Sequence, residues 1–503
     1  MLKCKAIILF YFVFSCVVFL QAKVLHVGPS QNYLNLIDAV PHIEPGDTVM
    51  IHEGIYSGGL TISELKGTEG KWIVFTAAPN EEVIFQGGTN SWQMIDVAYI
   101  HIRKLVFQHQ TGNGFNIDDG GDYSTPTHHI IFEECTFRDM NATGNNDLLK
   151  MSGIDDFQIR ECNFLNGSQG GSGIDMVGCH HGRIWNCNFE NMGSNSIQAK
   201  GGCRDIRIER NFFKNGGQRS LNLGGSTGLQ FFRPLDAKYE AAYLKVYANV
   251  FIGSVAPIAF VGCIETEVVN NTIYLPKKWV LRILQETVDT SRFYSCSNNT
   301  FRNNLIYRDN QVSVDCNIGP NTLPETFHFS NNLWYHAQNQ NWTGPTTLPV
   351  ADLHSLINVN PSLFDPDNEN FSLLPGSPAI GKGFSLDTLT MDFTGNTFND
   401  PPSIGAFEGN PLPVSLSIPE KESLLDISIF PNPVRSRLNI IDYSSHEKPM
   451  IEIFDLQGKL VHRVSGIKGL NSIDLSSFRS GTYILHLKHE LSGQIRSMLF
   501  IRE

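Results

Sequence analysis

Apolar and polar residues alternate along most of this chain in short runs, broken again and again by Gly, Asn or Asp. Period-two alternation marks strands with two unlike faces, and it argues against long amphipathic helices, whose period is about 3.6. One strand recurs as an apolar-x-apolar run that leads into Cys or Asn, one further residue, and a Phe or aliphatic. It reads Ile131-Phe132-Glu133-Glu134-Cys135-Thr136-Phe137, and returns around Cys162-Asn163-Phe164, Cys187-Asn188-Phe189 and Asn211-Phe212-Phe213. Later copies end at Asn249-Val250-Phe251, Asn271-Thr272-Ile273, Asn304-Leu305-Ile306 and Asn332-Leu333-Trp334. The Cys/Asn positions lie 27, 25, 24, 38, 22, 33 and 28 residues apart. A steady interval with irregular excess describes coils of one size that carry loops of different length. The interval is too short for strand-helix-strand units, so the pattern predicts an all-β parallel β-helix whose stacked coils share one core.

Parallel stacking sets like residues above like residues, about 4.8 Å apart. Cys135, Cys162 and Cys187 then form an internal ladder that Asn211, Asn249, Asn271, Asn304 and Asn332 continue. We expect packing and amide hydrogen bonding from it, not metal or redox chemistry. Cys179 and Cys203 occupy equivalent turns of adjacent coils, within reach of a disulfide if the geometry allows.

A second strand follows each ladder position, aligned on a Gly: Leu149–Gly153, Ile174–Gly178, Ile197–Gly201, Leu221–Gly225 and Ile258–Gly262, with Phe115–Asp118 before them and Leu281–Leu284 after. Alternation sends Asn116, Lys150, Asp175, Gln198, Asn222, Ala259 and Arg282 outward in one column, and Asp118, Ser152, Val177, Lys200, Gly224 and Val261 in its neighbour. The longest insertion, 224–244, follows this face, and a second, 285–299, follows Arg282. Long loops at one edge of a rigid sheet wall a groove.

The net charge of -12 excludes general nucleic-acid binding, which needs a basic footprint. Against that bulk, a Lys- and Arg-bearing groove suggests an acidic polysaccharide. Residues 1–22 read as a secretory signal, with Lys3 and Lys5 before the apolar Ala6–Leu20 and small Ala22 at the cut. No later window is apolar for long enough to span a membrane, so no transmembrane segment is expected in the mature chain. Residues 23–409 make the β-helix domain, opened by an amphipathic cap helix over Asn32–Val40. A Pro-bearing linker, 410–424, follows, and 425–503 alternate as a small C-terminal β-sandwich.

Several segments resemble known families. Asn32–Val40, then Pro45-Gly46-Asp47-Thr48-Val49 and Gly54-Ile55-Tyr56, resemble the opening of right-handed β-helices of the pectate-lyase-like superfamily. Ser377–Gly381 and Ser403–Glu408 resemble the closing segment of Bacteroidetes surface β-helices. Pro431-Asn432-Pro433, Phe454–Lys459 and Gly481–Leu485 resemble the C-terminal sorting domain of the type IX secretion system, which implies that machinery as a partner and a secreted or outer-membrane-attached product. Asn195–Gly201, with Asn211-Phe212-Phe213, resembles the chondroitinase-B and alginate-lyase family, which implies polysaccharide cleavage by β-elimination with Lys200 as the base. One coil on, where that family has an Arg, this chain has Asn222.

β-Elimination on a uronate needs the carboxylate neutralised, the C5 proton removed and the leaving oxygen protonated. Lys200 is the expected base and Arg233 or Tyr239 the expected donor. Gln198, Asn222 and Arg282, with Lys150 and Arg219, are expected to bind substrate. Asp175, with Asp118 and Glu286, is the candidate set for Ca²⁺, which prefers carboxylates. His180 and His181 are expected to serve a turn. Two alternatives remain open: a glycoside hydrolase, for which Asp175, Asp118, Glu240 and Glu286 are the available carboxylates, and a non-catalytic glycan-binding adhesin.

Overall fold

The computed structural model describes residues 22–409, 427–442, 449–456, 458–466, 470–489 and 495–503. The leader expected at 1–22, apart from Ala22, and the linker expected at 410–424 lie outside the described residues.

Among the described residues, three parallel sheets of 14, 12 and 10 strands form a β-helix. A typical coil gives one strand to each sheet. In one coil these are Ile154–Arg160, Asn163–Leu165 and Ser172–Val177. The same backbone device turns the corner between the first two strands in every coil. Glu134, Glu161, Asn186, Arg210, Ala248, Asn270, Asn303 and Asn331 all have φ between 53° and 56°, and each directly precedes a ladder residue. The ladder residue then points inward. Asn249 Nδ2 donates to Asn271 Oδ1 at 2.9 Å and to the Ile208 carbonyl at 2.9 Å, and the pattern repeats from Asn211 to Asn332. These amides are fully buried, and each bonds to the coil beside it, which meets the requirement that a buried polar group keep its partners.

Phe107, Phe137, Phe164, Phe189, Phe213 and Phe251 stack in register, with centroids 4.7 to 5.1 Å apart, close to the strand spacing. The eight described cysteines are buried free thiols, and burial pushes those of Cys135 and Cys162 up. Cys179 and Cys203 do stack in adjacent coils, but as thiols: the Cys179 amide donates to Cys203 Sγ at 3.2 Å.

The ends are capped differently. The cap helix is a single turn, Leu36–Ala39, shorter than the pattern predicts because Pro41 sits in the turn that follows it. Leu36 and Ala39 are buried against the first coils. The closing segment runs back over the second sheet, where Ala379, Ile404, Ala406 and Phe407 pack on Val250, Tyr274, Leu305 and Leu333. Asn270 Nδ2 donates to the Ser403 and Gly405 carbonyls at 2.7 and 3.1 Å and ties it down. The C-terminal module is antiparallel, with three- and four-stranded sheets over a core of its own, Val434 to Phe500. No helix among the described residues is long and apolar enough to cross a membrane.

Candidate active site on the third sheet

The third sheet pairs Asn116, Lys150, Asp175, Gln198, Asn222, Ala259 and Arg282 in unbroken register, as the alternation predicts. Asp118, Ser152, Val177 and Lys200 form the adjoining column. Strand alternation therefore brings residues more than a hundred positions apart onto one face.

The centre of that face is a charge cluster. The Asp175 side chain is 1% exposed and lies between two lysines. Lys150 Nζ donates to its Oδ2, and Lys200 Nζ lies 3.3 Å from its Oδ1 and 3.3 Å from Gln198 Oε1. Lys150 has a second acidic neighbour, Asp147, at 3.9 Å. Burial opposes the charge on Lys150, but Asp175 and Asp147 outweigh it and raise the pKa, so Lys150 stays a cation. Asp147 pays the reciprocal penalty: burial, then repulsion from Asp175, push it up to about 6.

Loops turn this face into a cleft of about 490 Å³, lined by Lys150, Lys200, Asp118, Asp119, Tyr123, Phe231 and Arg233 among others. One wall is the long insertion, fastened by a carboxylate. Glu240, 1% exposed, accepts from the Gly201 amide at 2.8 Å, the Thr227 amide at 2.9 Å, the Thr227 hydroxyl at 2.7 Å and the Thr287 hydroxyl. The opposite wall is the 119–126 turn, whose Tyr123 hydroxyl donates to the Gln230 carbonyl at 2.9 Å and so meets the insertion across the cleft. Burial, then the charge of Asp119, raise the Tyr123 pKa, so the phenol keeps its proton. Burial likewise raises Asp119, whose Oδ2 lacks a hydrogen-bond partner among the described residues. Tyr123 and Asp119 fall outside the repeat pattern because their turn belongs to no repeat. The available signal was that this turn leaves the same sheet edge as the long insertion.

The remaining expectations divide. Arg233 reaches the cleft but is only 7% exposed. Its two terminal nitrogens each lie 2.7 Å from an oxygen of Asp155, and one also donates to the Gly178 carbonyl at 3.0 Å. Against the upward push of burial, Arg233 and then His180 hold Asp155 well below the usual carboxylate range. Arg233 is therefore a staple for the insertion, with its donors committed, and does not suit the proton-donor role. His180 serves the same staple, its Nε2 lying 3.2 Å from the Arg233 carbonyl oxygen. Tyr239 is not in the cleft; burial raises its pKa, and the charged groups acting on it are Arg204 and Asp205 of the first sheet.

The three carboxylates considered for Ca²⁺ do not meet. Asp175 is held by the two lysines, Asp118 accepts from Gln93 at 2.7 Å and Asn116 at 2.9 Å, and Glu286 pairs with Arg219 at 2.6 Å. No group of three His, Cys, Asp or Glu arranged to hold a metal ion occurs among the described residues. These residues do not fit the ion, and no step below depends on it. Gln198 lies within the cluster. Asn222, 2% exposed, accepts from Arg219 at 2.9 Å, and Arg282 stands farther along the column.

Comparison with known proteins agrees with this architecture. Residues 88–273 match the family described as right handed beta helix region, and residues 428–501 match the secretion system C-terminal sorting domain. The chain is a right-handed parallel β-helix with a secretion-system sorting domain at its C-terminus. No curated protein matches it by sequence. Among solved structures, this β-helix is similar to pectate lyase Pel9A, with 15% identity, a TM-score of 0.50, and coverage of 77% of this chain and 96% of that one. It also matches an alginate lyase from Paenibacillus sp. str. FPU-7 (13% identity, TM-score 0.41, 61% and 97% covered) and a GH136 lacto-N-biosidase from Eubacterium ramulus (11%, 0.41, 62% and 68%). At such identities the likeness is one of fold.

Proposed function

We propose that this β-helix is a polysaccharide lyase that cleaves uronate-containing glycans by β-elimination, exported through the type IX system to the cell exterior or surface. The observation that carries the reading is the pair of lysines that enter one cleft from a shared buried carboxylate. The two are not equivalent. Lys150 has two acidic neighbours and remains charged, which suits it to neutralise the substrate carboxylate and stabilise the developing enediolate. Lys200 has an ion-pair contact with the shared Asp175 alone, Asp147 acting on it from farther off, and it is the lysine assigned to take the C5 proton. As that proton leaves, its electron pair forms the C4–C5 double bond, the C4–O bond breaks, and the leaving oxygen takes a proton. Tyr123, which keeps its proton and lines the same cleft, replaces Arg233 and Tyr239 as the proposed donor, and to act it must release the Gln230 carbonyl, to which its hydroxyl donates. Phe231, 58% exposed on the insertion, offers a ring for a sugar face.

The test is a screen of pectate, alginate, glycosaminoglycans and ulvan, followed by the ultraviolet absorbance of unsaturated sugar. The expected result is absorbance with at least one polymer and a loss of about a hundredfold or more in rate for Lys200→Ala, with the circular dichroism spectrum unchanged. Reducing ends without absorbance would make the protein a hydrolase. Binding without cleavage would make it an adhesin.

A further inference from the structure

Beyond the cleft, the third sheet carries a second concentration of positive charge. Arg282 lies three strands from Lys200, a separation of about 14 Å at the usual strand spacing. Its guanidinium stacks on Trp279, 4.4 Å from the ring centroid, and Lys278 Nζ lies 4.2 Å from the same centroid. Arg282 Nε donates to Asn317 Oδ1 at 2.9 Å. Among the described residues, its two terminal nitrogens make no hydrogen bond or ion pair.

Arg219 approaches from the other side. It is anchored on Asn222 at 2.9 Å and paired with Glu286 at 2.6 Å. The strand between them presents Ala259, fully buried, whose methyl group offers no polar atom to pair either guanidinium. Burial, then repulsion from Arg219, lower the pKa of Arg282, so the two guanidinium groups feel each other. Two cations, Arg219 and Arg282, thus share one carboxylate, Glu286, and Lys278 adds a third positive charge at the Trp279 ring. An exposed lysine needs no partner, but a half-buried guanidinium stacked in place, with its fork unused and a like charge beside it, is arranged for an incoming anion.

We infer that Arg219 and Arg282 form a second anion subsite, which takes the carboxylate or sulfate of a sugar unit several residues along the chain from the one held at Lys200. This rests on the reading of the cleft as a glycan site. It adds that the polymer runs along the coil axis, across successive strands, and that affinity grows with polymer length. Glu286 occupies one side of the subsite until the anion displaces it.

The test measures binding alone. The Lys200→Ala protein, which does not cut, is titrated calorimetrically with size-defined short and long oligomers of galacturonate, of alginate and of sulfated chondroitin. The subsite predicts that long oligomers of at least one series bind more tightly than short ones, and that Arg282→Gln removes this advantage, a loss of about tenfold or more. Glu286→Gln should tighten the long oligomer about two- to fivefold by releasing Arg219, a gain that misfolding cannot mimic. The sulfated and unsulfated series distinguish sulfate from carboxylate. Length-independent binding, binding unaffected by either substitution, or no binding of any oligomer would overturn the subsite. Cleavage by the unmodified protein with no length dependence in Lys200→Ala leaves the lyase reading standing without the subsite. Length-dependent, Arg282-dependent binding with no cleavage leaves the subsite standing without the lyase.

Discussion

Asp147 is an unusual carboxylate to keep beside Lys150 of the candidate cleft. It is 2% exposed, its Oδ1 accepts from the Ser172 amide at 2.7 Å, and burial and Asp175 push it up to about 6. Since the unfolded chain holds this group near the ordinary value of 3.8, the folded state binds more protons between the two. Its contribution to stability is therefore greatest below about pH 4 and is lost as pH rises to about 6. Asp147→Asn keeps the acceptor oxygen and removes the titration. Urea midpoints across this range should fall with pH more steeply for the native protein than for the variant, and the variant should be the more stable at neutral pH. Parallel curves would show that Asp147 does not titrate in this range. The lysines and Asp175 were legible in the sequence because alternation and repeat spacing determine which residues share a column. The commitment of Arg233 was not, because its partner Asp155 lies 78 residues earlier and no local pattern links them. Tyr123 was hidden for a similar reason, since its partner Gln230 is 107 residues away.

At the scale of the element, the unit is a corner and its ladder residue. The corner needs a left-handed backbone, which Asn tolerates better than most side chains and which Glu, Arg and Ala adopt here at some cost. The ladder residue offsets part of that cost by bonding to the coil beside it. Where it is Asn, two donors and an acceptor are satisfied inside the core. Where it is Cys, the thiol fills the same volume with weaker bonds, such as Cys187 Sγ to the Trp185 carbonyl at 3.4 Å. The sequence shows this ladder as a column but not its hydrogen bonds, which require knowing that the backbone turns before it. Asn271 makes the sharpest test. Its Oδ1 accepts from the amide and side chain of Asn249, and its Nδ2 donates to Val246, Val269 and Asn304. Asn271→Ala strands groups on both neighbouring coils, and we expect a loss of about 3 kcal/mol or more in urea unfolding. Cys162→Ala, which gives up weak thiol bonds such as that to the Arg160 carbonyl, should cost less. Equal losses would mean that filled volume, not the amide network, holds the corner.

For the whole molecule, a stack of coils has the weakness of any one-dimensional array: each coil is supported only by its neighbours, so an uncapped end frays inward. The Leu36–Ala39 turn covers one end of the core, and the segment from Leu363 to Phe407 covers the outer face of the last coils. The apolar outer faces of Val250, Leu305 and Leu333 look anomalous in the sequence, where a strand's outward face should be polar, and this later segment accounts for them. Among the described residues the C-terminal module contributes nothing to either cluster, since its apolar core draws only on Ile429 and positions after it. It follows that residues 22–409 should fold alone, with the same unfolding midpoint for the β-helix as in the full chain, and should keep any glycan activity proposed for it. A version ending at residue 360 keeps every parallel strand but exposes the second cluster, and it should aggregate or unfold at a distinctly lower temperature. Loss of the sorting module should instead abolish only delivery: a cell expressing residues 1–409 should retain folded protein behind its outer membrane, whereas the full chain reaches the exterior. If the 22–409 protein were unstable, the two cores would have to support each other, and the module would be a structural cap as well as an address.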